Sequence, residues 1–312
     1  MLPPDSTPGL MSGPAPTPDE ILALWHAAFP SHPVHPAGLR ARLDASDPQL
    51  WLRLDGQLVG WAALRSVAGQ ERGHLRALLV HPEQQGRGVG AGLLAEAEHR
   101  LRQAGHRTIV PGAEHLHFFP GVPAQAAAYF ERRGYQFDGD VSHDLALLPA
   151  ELPAARLPAS MHLQPATSPD LVQQAQAFAA SFSARWGSDL GRIADQNPLQ
   201  ILTLLDGGQL IGFALTGTED DPAILPSCLY PGGLRAAQGL PDTARTGGLG
   251  PFGIAEARRG EGLGWGFFLA CAAHLRERGV QVMGVDWTRL PDFYLRAGGR
   301  IWSSWHHVHR AL

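Results

Sequence analysis

The sequence predicts two tandem α/β domains that share one order of strands and helices. The chain has 312 residues, which is long for one domain and suitable for two at roughly 100–200 residues each. Hydrophobic residues make up 44% of the chain and charged residues 17%, so enough apolar side chains are present for packed cores. A glycine-rich segment and its surroundings also occur twice, with an offset of 174 residues from Gln85 to Arg259.

Each copy contains a predicted β-hairpin. Two apolar runs flank Asp55-Gly56 within residues 50–64, and two similar runs flank Asp206-Gly207 within residues 201–215. A short Asp-Gly segment between apolar runs is typical of a tight hairpin turn. Residues 161–165 add a first strand to the second copy that the first copy lacks.

After the hairpin, an apolar strand leads into the glycine-rich segment, and a helix follows it. The predicted strands are Leu75–Val80 and Leu249–Ile254, and the predicted helices are Ala91–Gln103 and Trp265–Arg278. Both helices have Leu and Ala at helical spacing on one face. A short strand, a second helix (124–133 or 290–297) and a C-terminal strand complete each copy.

Composition gives the expected domain boundaries. Residues 1–17 are rich in Pro, Ser and Gly and have no basic segment followed by an apolar one, which predicts a disordered leader and not a signal peptide. The N-terminal domain is expected at 18–148, a Pro-rich linker at 149–160 and the C-terminal domain at 161–312. Extra residues at 114–123 and 219–248 predict binding loops, lids or disordered loops.

Composition also excludes several classes of function. The net charge of −4 argues against a dedicated nucleic-acid binder, and no apolar run approaches the roughly 20 residues of a membrane span. All 25 basic residues are arginines, which excludes Schiff-base chemistry. Cys228 and Cys271 cannot form a disulfide framework, so a reducing, cytoplasmic location is expected. His306, His307 and His309 lack further ligands at suitable spacing, and no metal is expected.

A glycine-rich turn between a strand and a helix can bind an anion. The first N–H groups of the helix have no partner and lie at the positive end of the helix dipole, which suits a phosphate or pyrophosphate. Side chains such as Gln85, Arg87 and Arg259 add donors. Residues 86–91 also fit the dinucleotide pattern G-x-G-x-x-G/A. Trp265 in the second copy and the lack of an acidic residue about 20 positions later argue against a nicotinamide cofactor.

The repeated segments resemble the acetyl-CoA loop of the GNAT superfamily of acyl-CoA N-acyltransferases, whose pattern is R/Q-x-x-G-x-G/A. The resemblance covers nearly the whole chain as a tandem duplication. It implies that each domain is a mixed, mostly antiparallel sheet flanked by helices, and that acetyl-CoA is the co-substrate. The residues that it implies for binding are Val80, Gln85, Gly86, Arg87, Gly88, Val89 and Gly90 in the first copy, and Ile254, Arg259, Gly260, Glu261, Gly262, Leu263 and Gly264 in the second.

The resemblance also implies a catalytic acid. In GNAT enzymes this acid is often a tyrosine four residues before the glycine that ends the last helix, and it protonates the departing CoA thiolate. Tyr294 has this position in the second copy, whereas Phe130 has it in the first and Tyr129 lies one residue earlier, about 100° around the helix. The second copy is therefore favoured for catalysis, with Tyr129 as a substitute acid in the first. Asp286, at the end of a strand, is a candidate base that acts through water.

The predicted function is transfer of an acetyl group from acetyl-CoA to a primary amine of a small-molecule acceptor, by direct attack in a ternary complex. The alternative is a sensor or scaffold that binds CoA or acyl-CoA without turnover. The acceptor is expected to contact residues 17–43, residues 168–197 and the insertion after Glu219, none of which contains a motif that identifies the amine. Neither a nucleic-acid nor a membrane partner is expected, and the chain is expected to be a monomer or a homodimer.

Overall fold

The structure is a computed structural model that describes residues 10–43 and 47–312. Contacts among the described residues divide the chain into two compact units. Unit 1 comprises the described residues up to Ser142 together with Ser304–Leu312, and unit 2 comprises His143–Ser303. The predicted leader at 1–17 lies partly outside the described residues, which begin at Leu10.

The secondary structure follows the repeated order that the sequence predicts. The described part of unit 1 contains α1 (Pro18–Ala28), α2 (Pro36–Arg42), β1 (Gln49–Leu54), β2 (Gln57–Arg65), β3 (Arg72–Val80), α3 (Val89–Gln103), β4 (Thr108–Pro111), β5 (Val122–Pro123), α4 (Ala124–Glu131) and the start of β6 (Gln136–Leu147). Unit 2 contains the end of β6, then β7 (Met161–Pro165), α5 (Pro169–Phe182), α6 (Ala184–Ala194), β8 (Ile201–Asp206), β9 (Gln209–Thr218), α7 (Pro231–Gln238), β10 (Thr246–Ile254), α8 (Leu263–Glu277), β11 (Val282–Thr288), α9 (Pro291–Leu295) and the start of β12 (Arg300–Ala311).

Each unit contains a mixed, mostly antiparallel sheet, as expected. In unit 1, β1, β2 and β3 pair antiparallel, β3 pairs parallel with β4, and β4 pairs antiparallel with the end of β12. In unit 2, β7, β8, β9 and β10 pair antiparallel, β10 pairs parallel with β11, and β11 pairs antiparallel with the end of β6. The predicted fold class is therefore confirmed.

The two hairpins have matching local geometry. The turn of the first is Asp55-Gly56, with φ of +51° and +80°, and the turn of the second is Gly207-Gly208, with φ of +55° and +85°. Positive φ at both central residues matches a tight turn whose twist agrees with that of the strands. The second turn lies one residue later than predicted, because Asp206 is the last residue of β8.

In each unit, the helix after the glycine-rich loop packs on the sheet. In α3, Leu94, Ala97 and Leu101 recur at helical spacing and are at most 2% exposed. Cys271 and Leu275 of α8 are fully buried in the same way. Burying a leucine side chain stabilises a fold by roughly 1.5–3 kcal/mol, so these faces hold the glycine-rich loops in place.

The last strand of each copy belongs to the other unit. Residues 143–147 of β6 pair with β11 in unit 2, where Leu145 faces Val285. Residues 304–312 of β12 lie in unit 1 beside β4, where Arg310 pairs with Ile109. The division of the chain by contacts therefore differs from the contiguous boundaries at 18–148 and 161–312. A strand's sequence indicates that it is a strand but does not specify the sheet edge with which it pairs.

Two segments have more structure than the sequence indicates. Leu10 forms a bridge with Leu52, and the Met11 N–H donates to the Trp51 carbonyl at 2.8 Å, so residues 10 and 11 lie against β1. In the insertion at 219–248, α7 buries Leu234, which is 1% exposed. Part of each predicted loop or leader is therefore packed structure.

Candidate active site

A cavity of unit 1 opens where two parallel strands separate. Pairing between β3 and β4 ends at Leu75 and Pro111, whereas β3 continues to Val80 beside β2. Beyond Leu75, no strand of the described residues pairs with β3 on the β4 side. The cavity beside them has a volume of about 790 Å³ and extends along β3 from Arg76 to the glycine-rich loop. This volume is in the usual range for a small-molecule site.

The glycine-rich loop forms one end of this cavity. Gly86 and Gly88 have φ of +74° and +91°, a conformation that residues with a Cβ rarely adopt. Gly88 is the N-cap of α3, so the first N–H groups of this 15-residue helix have no intrahelical partner and lie beside the cavity. Gln85 Nε2 donates to the Val80 carbonyl at 3.2 Å and joins the loop to the end of β3. This end of the cavity therefore suits an anion.

Tyr129 of α4 lies on the cavity wall. Its hydroxyl oxygen is 3.2 Å from the point where a Cβ on Gly90 would lie, and it makes no hydrogen bond with the described residues. Burial raises the pKa of the Tyr129 hydroxyl, which keeps it protonated at neutral pH. Phe130, at the expected acid position, is only 6% exposed and packs against Tyr135. Both residues line the cavity, and Tyr129 is the one of the two that brings a hydroxyl group to it.

Two arginines lie near the same end of the cavity. The Arg133 guanidinium stacks over the Tyr129 ring at 3.7 Å, and its Nη1 donates to the Tyr129 carbonyl at 2.9 Å. Arg132, the preceding residue, also lines the cavity. These side chains add positive charge close to the helix N-terminus and hold the tyrosine ring in place.

The opposite end of the cavity is aromatic. Phe29, directly after α1, and Phe119, in the loop after β4, both line it and contact each other with ring centroids 5.4 Å apart. Arg76 of β3 is the charged residue at this end, with its guanidinium 5.0 Å from the centre of the Phe118 ring. The first helix and the loop after β4 therefore form a wall opposite the glycine-rich loop.

A buried ion-pair cluster lies behind this wall. Arg76 Nη1 is 2.8 Å from Asp47, and its Nε pairs with Glu114. Arg65 pairs with the same two carboxylates, at 2.8 Å from Asp47 and 3.1 Å from Glu114. Glu114 lies in the segment 114–123 that the sequence predicts as a binding loop, lid or disordered loop. The residue is 3% exposed and neutralised by two guanidinium groups.

Unit 2 repeats the loop geometry. Pairing between β10 and β11 ends at Leu249 and Val285, and Gly260 and Gly262 have φ of +87° and +75°. The two arginines of this loop, Arg258 and Arg259, contact side chains of unit 2. Arg258 pairs with Asp206 at 2.8 Å and with Glu261 at 3.0 Å, and the Arg259 guanidinium lies 5.5 Å from the centre of the Phe182 ring.

Aromatic side chains pack together where the strands of unit 2 separate. Phe252 of β10 contacts Phe293 of α9, with ring centroids 6.3 Å apart. Trp265, at the position of Ala91 in unit 1, contacts Phe293 at 5.7 Å. Tyr294 is 8% exposed, and its ring lies 4.9 Å from that of Phe293. Burial and the Asp286 carboxylate raise the pKa of Tyr294. Its ring is part of the unit 2 core.

The residues that the sequence predicts for binding and catalysis do not all line the cavity. The cavity of unit 1 brings together Val80, Gln85, Gly86, Gly88, Gly90 and Tyr129. Val89 instead packs in the core, and Arg87 is exposed. In unit 2, Ile254 and Leu263 are buried, and Asp286 is half-buried. Sequence reasoning missed Phe29 and Arg76, although an arginine within the apolar run of β3 is a signal that could have been used.

Within residues 10–43 and 47–312, no three His, Cys, Asp or Glu side chains lie close enough together to hold a metal ion. No helix in the same ranges combines the length and the hydropathy that a bilayer crossing requires.

Sequence comparison finds an acetyltransferase family. Residues 19–135 match the model of the acetyltransferase (GNAT) family. A curated mycothiol acetyltransferase from Propionibacterium freudenreichii subsp. shermanii is 31% identical over 144 residues, which is 43% of this chain and 43% of that protein. The match thus spans less than half of the length of this relative.

Structure comparison finds the same fold in proteins of low identity. One is the GCN5-related glucosamine N-acetyltransferase region of a fungal multi-domain GH3 beta-N-acetylglucosaminidase. It has a TM-score of 0.80 and 24% identity over 94% of this chain and 37% of that chain. Another is a tandem GNAT protein from the clavulanic acid biosynthesis pathway, with a TM-score of 0.67 and 16% identity over 95% of this chain and 94% of that chain. At these identities, the similarity shows the fold.

The geometry of the two units agrees with these comparisons. Each unit has separating parallel strands, a glycine-rich loop with two glycines at positive φ, and a helix that begins at the second of them. Residues 19–135 therefore match the GNAT acetyltransferase family, and the two units together have the fold of a tandem GNAT protein.

Proposed function

We propose that the protein transfers an acetyl group from acetyl-CoA to a primary amine of a small molecule, and that the reaction takes place in unit 1. The observation that carries this proposal is the position of the Tyr129 hydroxyl. It lies on the wall of a cavity of about 790 Å³ that begins at a glycine-rich loop, and it makes no hydrogen bond with the described residues. The names of the mycothiol acetyltransferase and of the glucosamine N-acetyltransferase region favour acetyl as the transferred group.

The residues along the cavity fit acetyl-CoA, which supplies the activated acetyl group when bound. The N–H groups at the start of α3, with Arg132 and Arg133, suit its phosphates. Leu78 and Val80 offer an apolar edge to the pantetheine arm. The backbone groups of residues 76–80 that lack a partner strand can pair with the amides of that arm.

The transfer requires an attacking amine and an acid. The nitrogen lone pair attacks the thioester carbonyl carbon, the C–N bond forms and the C–S bond breaks. The thiolate then takes a proton from the Tyr129 hydroxyl, and the proton lost by the amine passes to water. Burial raises the pKa of Tyr129, so the hydroxyl is protonated and can donate a hydrogen bond to the sulfur as negative charge develops on it.

Unit 2 has a different role in this proposal. Where its strands separate, Phe293 contacts both Phe252 and Trp265, and the buried Tyr294 packs against Phe293. The catalytic roles predicted for Tyr294 and Asp286 therefore stay predictions, and the proposed acid is Tyr129.

Parallel tyrosine variants test the proposal. Free thiol released from acetyl-CoA is followed with a panel of amines, and acetyl-CoA binding is measured by calorimetry. Tyr129→Phe is expected to lower kcat roughly 100-fold and to leave the Kd for acetyl-CoA unchanged, because a general acid is removed without loss of a binding contact. Tyr294→Phe, the matched change in unit 2, is expected to leave kcat within about twofold.

Two results would contradict the proposal. A loss of kcat in Tyr294→Phe but not in Tyr129→Phe would assign catalysis to unit 2. Binding of acetyl-CoA with no amine-dependent thiol release would favour the non-catalytic sensor.

A further inference from the structure

The aromatic end of the unit 1 cavity is a preformed wall. Phe119 stacks on Trp25, with centroids 5.1 Å apart and an angle of 16° between the rings. Phe29 stacks on His32 at 4.3 Å, and Phe119 contacts Trp305 at 5.5 Å. Trp25 and Trp305 are completely buried. Since these second rings hold Phe29 and Phe119 in fixed orientations, the wall need not be ordered when a ligand binds.

The charged side chains in the described lining of the cavity all have the same sign. Among the described residues that line it, the charged side chains are Arg76, Arg132 and Arg133, and none is acidic. Arg76 is neutralised by Asp47 and Glu114, and the other two lie near the glycine-rich loop. An acceptor with a second ammonium group would lose water at the aromatic end without gaining a carboxylate partner, and this costs free energy.

The same lining contains no side chain that is suited to act as a general base. Neither His, Asp nor Glu is found among the described residues that line the cavity. Transfer into apolar surroundings disfavours the charged form of an amine and lowers its pKa. Desolvation against Phe29 and Phe119 therefore raises the fraction of the acceptor that has a free lone pair.

We infer that the acceptor is a primary amine carried on an uncharged apolar body, such as a phenyl ring or an alkyl chain, which packs against Phe29 and Phe119. This inference rests on the proposed function, because it concerns the acceptor end of the same cavity. It excludes polyamines and multiply charged amino sugars as preferred acceptors.

Matched amines test the inference. Thiol release from acetyl-CoA is measured with 2-phenylethylamine, butylamine and 1,4-diaminobutane, and the last two differ by one ammonium group. The expected kcat/KM is at least 10-fold higher for butylamine than for 1,4-diaminobutane, and higher again for 2-phenylethylamine. Calorimetric titration of 2-phenylethylamine into the protein with CoA is expected to show binding, and 1,4-diaminobutane is expected to bind at least 10-fold more weakly.

Variants of Phe119 test whether the acceptor packs against the aromatic wall. Phe119→Ala is expected to lower kcat/KM for 2-phenylethylamine roughly 10-fold, mainly through KM, and Phe119→Leu to restore part of this loss because an apolar surface returns. The Kd for acetyl-CoA is expected to stay unchanged in both. Phe137→Ala is the control, since Phe137 is 42% exposed and does not line the cavity.

The outcomes separate the two proposals. A higher kcat/KM for 1,4-diaminobutane than for butylamine overturns the inference and leaves the proposed function intact. Equal effects of Phe119→Ala and Phe137→Ala also overturn it. Thiol release with other amines of the panel but with none of these three overturns the inference alone, and release with no amine of the panel, while acetyl-CoA still binds, overturns both.

Discussion

Two tyrosines show how one residue's position on a helix changes its surroundings. Tyr129 and Phe130 of α4 correspond to Phe293 and Tyr294 of α9, with the order of tyrosine and phenylalanine reversed. The second residue of each pair is a buried core residue, and the first is partly buried and packs against that core. Tyr129 and Phe130 both line the unit 1 cavity, and Tyr129 supplies its hydroxyl group. The tyrosine that the family pattern favours is therefore buried, and the displaced one lines the cavity.

A buried histidine makes the stability of unit 1 depend on pH. Burial lowers the pKa of His32 to about 3, compared with about 6.5 in an unfolded chain. Below pH 6.5 the unfolded chain takes up a proton that the folded unit does not, so stability is lost as pH falls. The slope is about 1.4 kcal/mol per pH unit, which predicts a loss of about 2 kcal/mol between pH 6.5 and 5.

Urea unfolding at both pH values, followed by tryptophan fluorescence, measures this loss. His32→Phe keeps a ring beside Phe29 and removes the titrating group, so its free energy of unfolding is expected to change less over the same range. An identical pH dependence in the variant and the natural chain would show that His32 is not the cause.

At the scale of the element, the glycine-rich loop combines backbone strain with ligand binding. An added Cβ at Gly88 would meet no atom within 4 Å, but its φ of +91° is unfavourable for any residue with a side chain. Gly88→Ala is expected to destabilise the loop by about 1–2 kcal/mol and to raise the Kd for acetyl-CoA roughly 10-fold, because the N–H groups of α3 shift.

Gly69→Ala is a matched control for this change. Gly69 has φ of +78°, has open space around it and does not line the cavity. Chemical denaturation is expected to show a similar loss of stability in both variants, whereas calorimetry is expected to show weaker acetyl-CoA binding only in Gly88→Ala. An unchanged Kd in that variant would mean that this loop does not hold the phosphates.

Local patterns account for the elements that were predicted correctly. The hairpins, the glycine-rich loops and the helices after them depend on turn residues and on apolar spacing within about 15 residues, which the sequence displays directly. The cavity wall depends on Phe29 and Phe119, which are 90 positions apart in the sequence and meet only in the folded chain. Trp265 at the position of Ala91 was a visible sign that the second groove differs, but its contact with Phe293 requires the tertiary structure.

At the scale of the whole molecule, unit 1 is complete only when the C-terminal residues of the chain are present. Residues 304–312 supply the partner of β4 and three buried side chains, of which Trp305 and Val308 are at most 1% exposed and His307 is 7% exposed. Their removal leaves an open sheet edge and an uncovered core.

A chain that ends at Ser303 is therefore expected to lose more than roughly 5 kcal/mol of the free energy of unfolding of unit 1. Loss of the buried Trp305 side chain accounts for about 3–5 kcal/mol, and the lost strand pairing adds to it. Urea unfolding measures this, and a synthetic peptide of residues 304–312 is expected to restore part of the loss. The control is Arg310→Gln, which removes only the ion pair with Glu98 and is expected to cost about 1 kcal/mol or less. An unchanged urea midpoint in the shortened chain would refute the assignment of this strand to unit 1.

The same strand placement sets the order of events during synthesis. When the ribosome has made residue 142, unit 1 still lacks residues 304–312. At 5–20 residues per second, this delay is about 10–30 s, during which the exposed edge of β4 is open to incorrect partners. Folding of unit 1 during synthesis is therefore expected to finish later than that of a contiguous domain, because its last strand is made last.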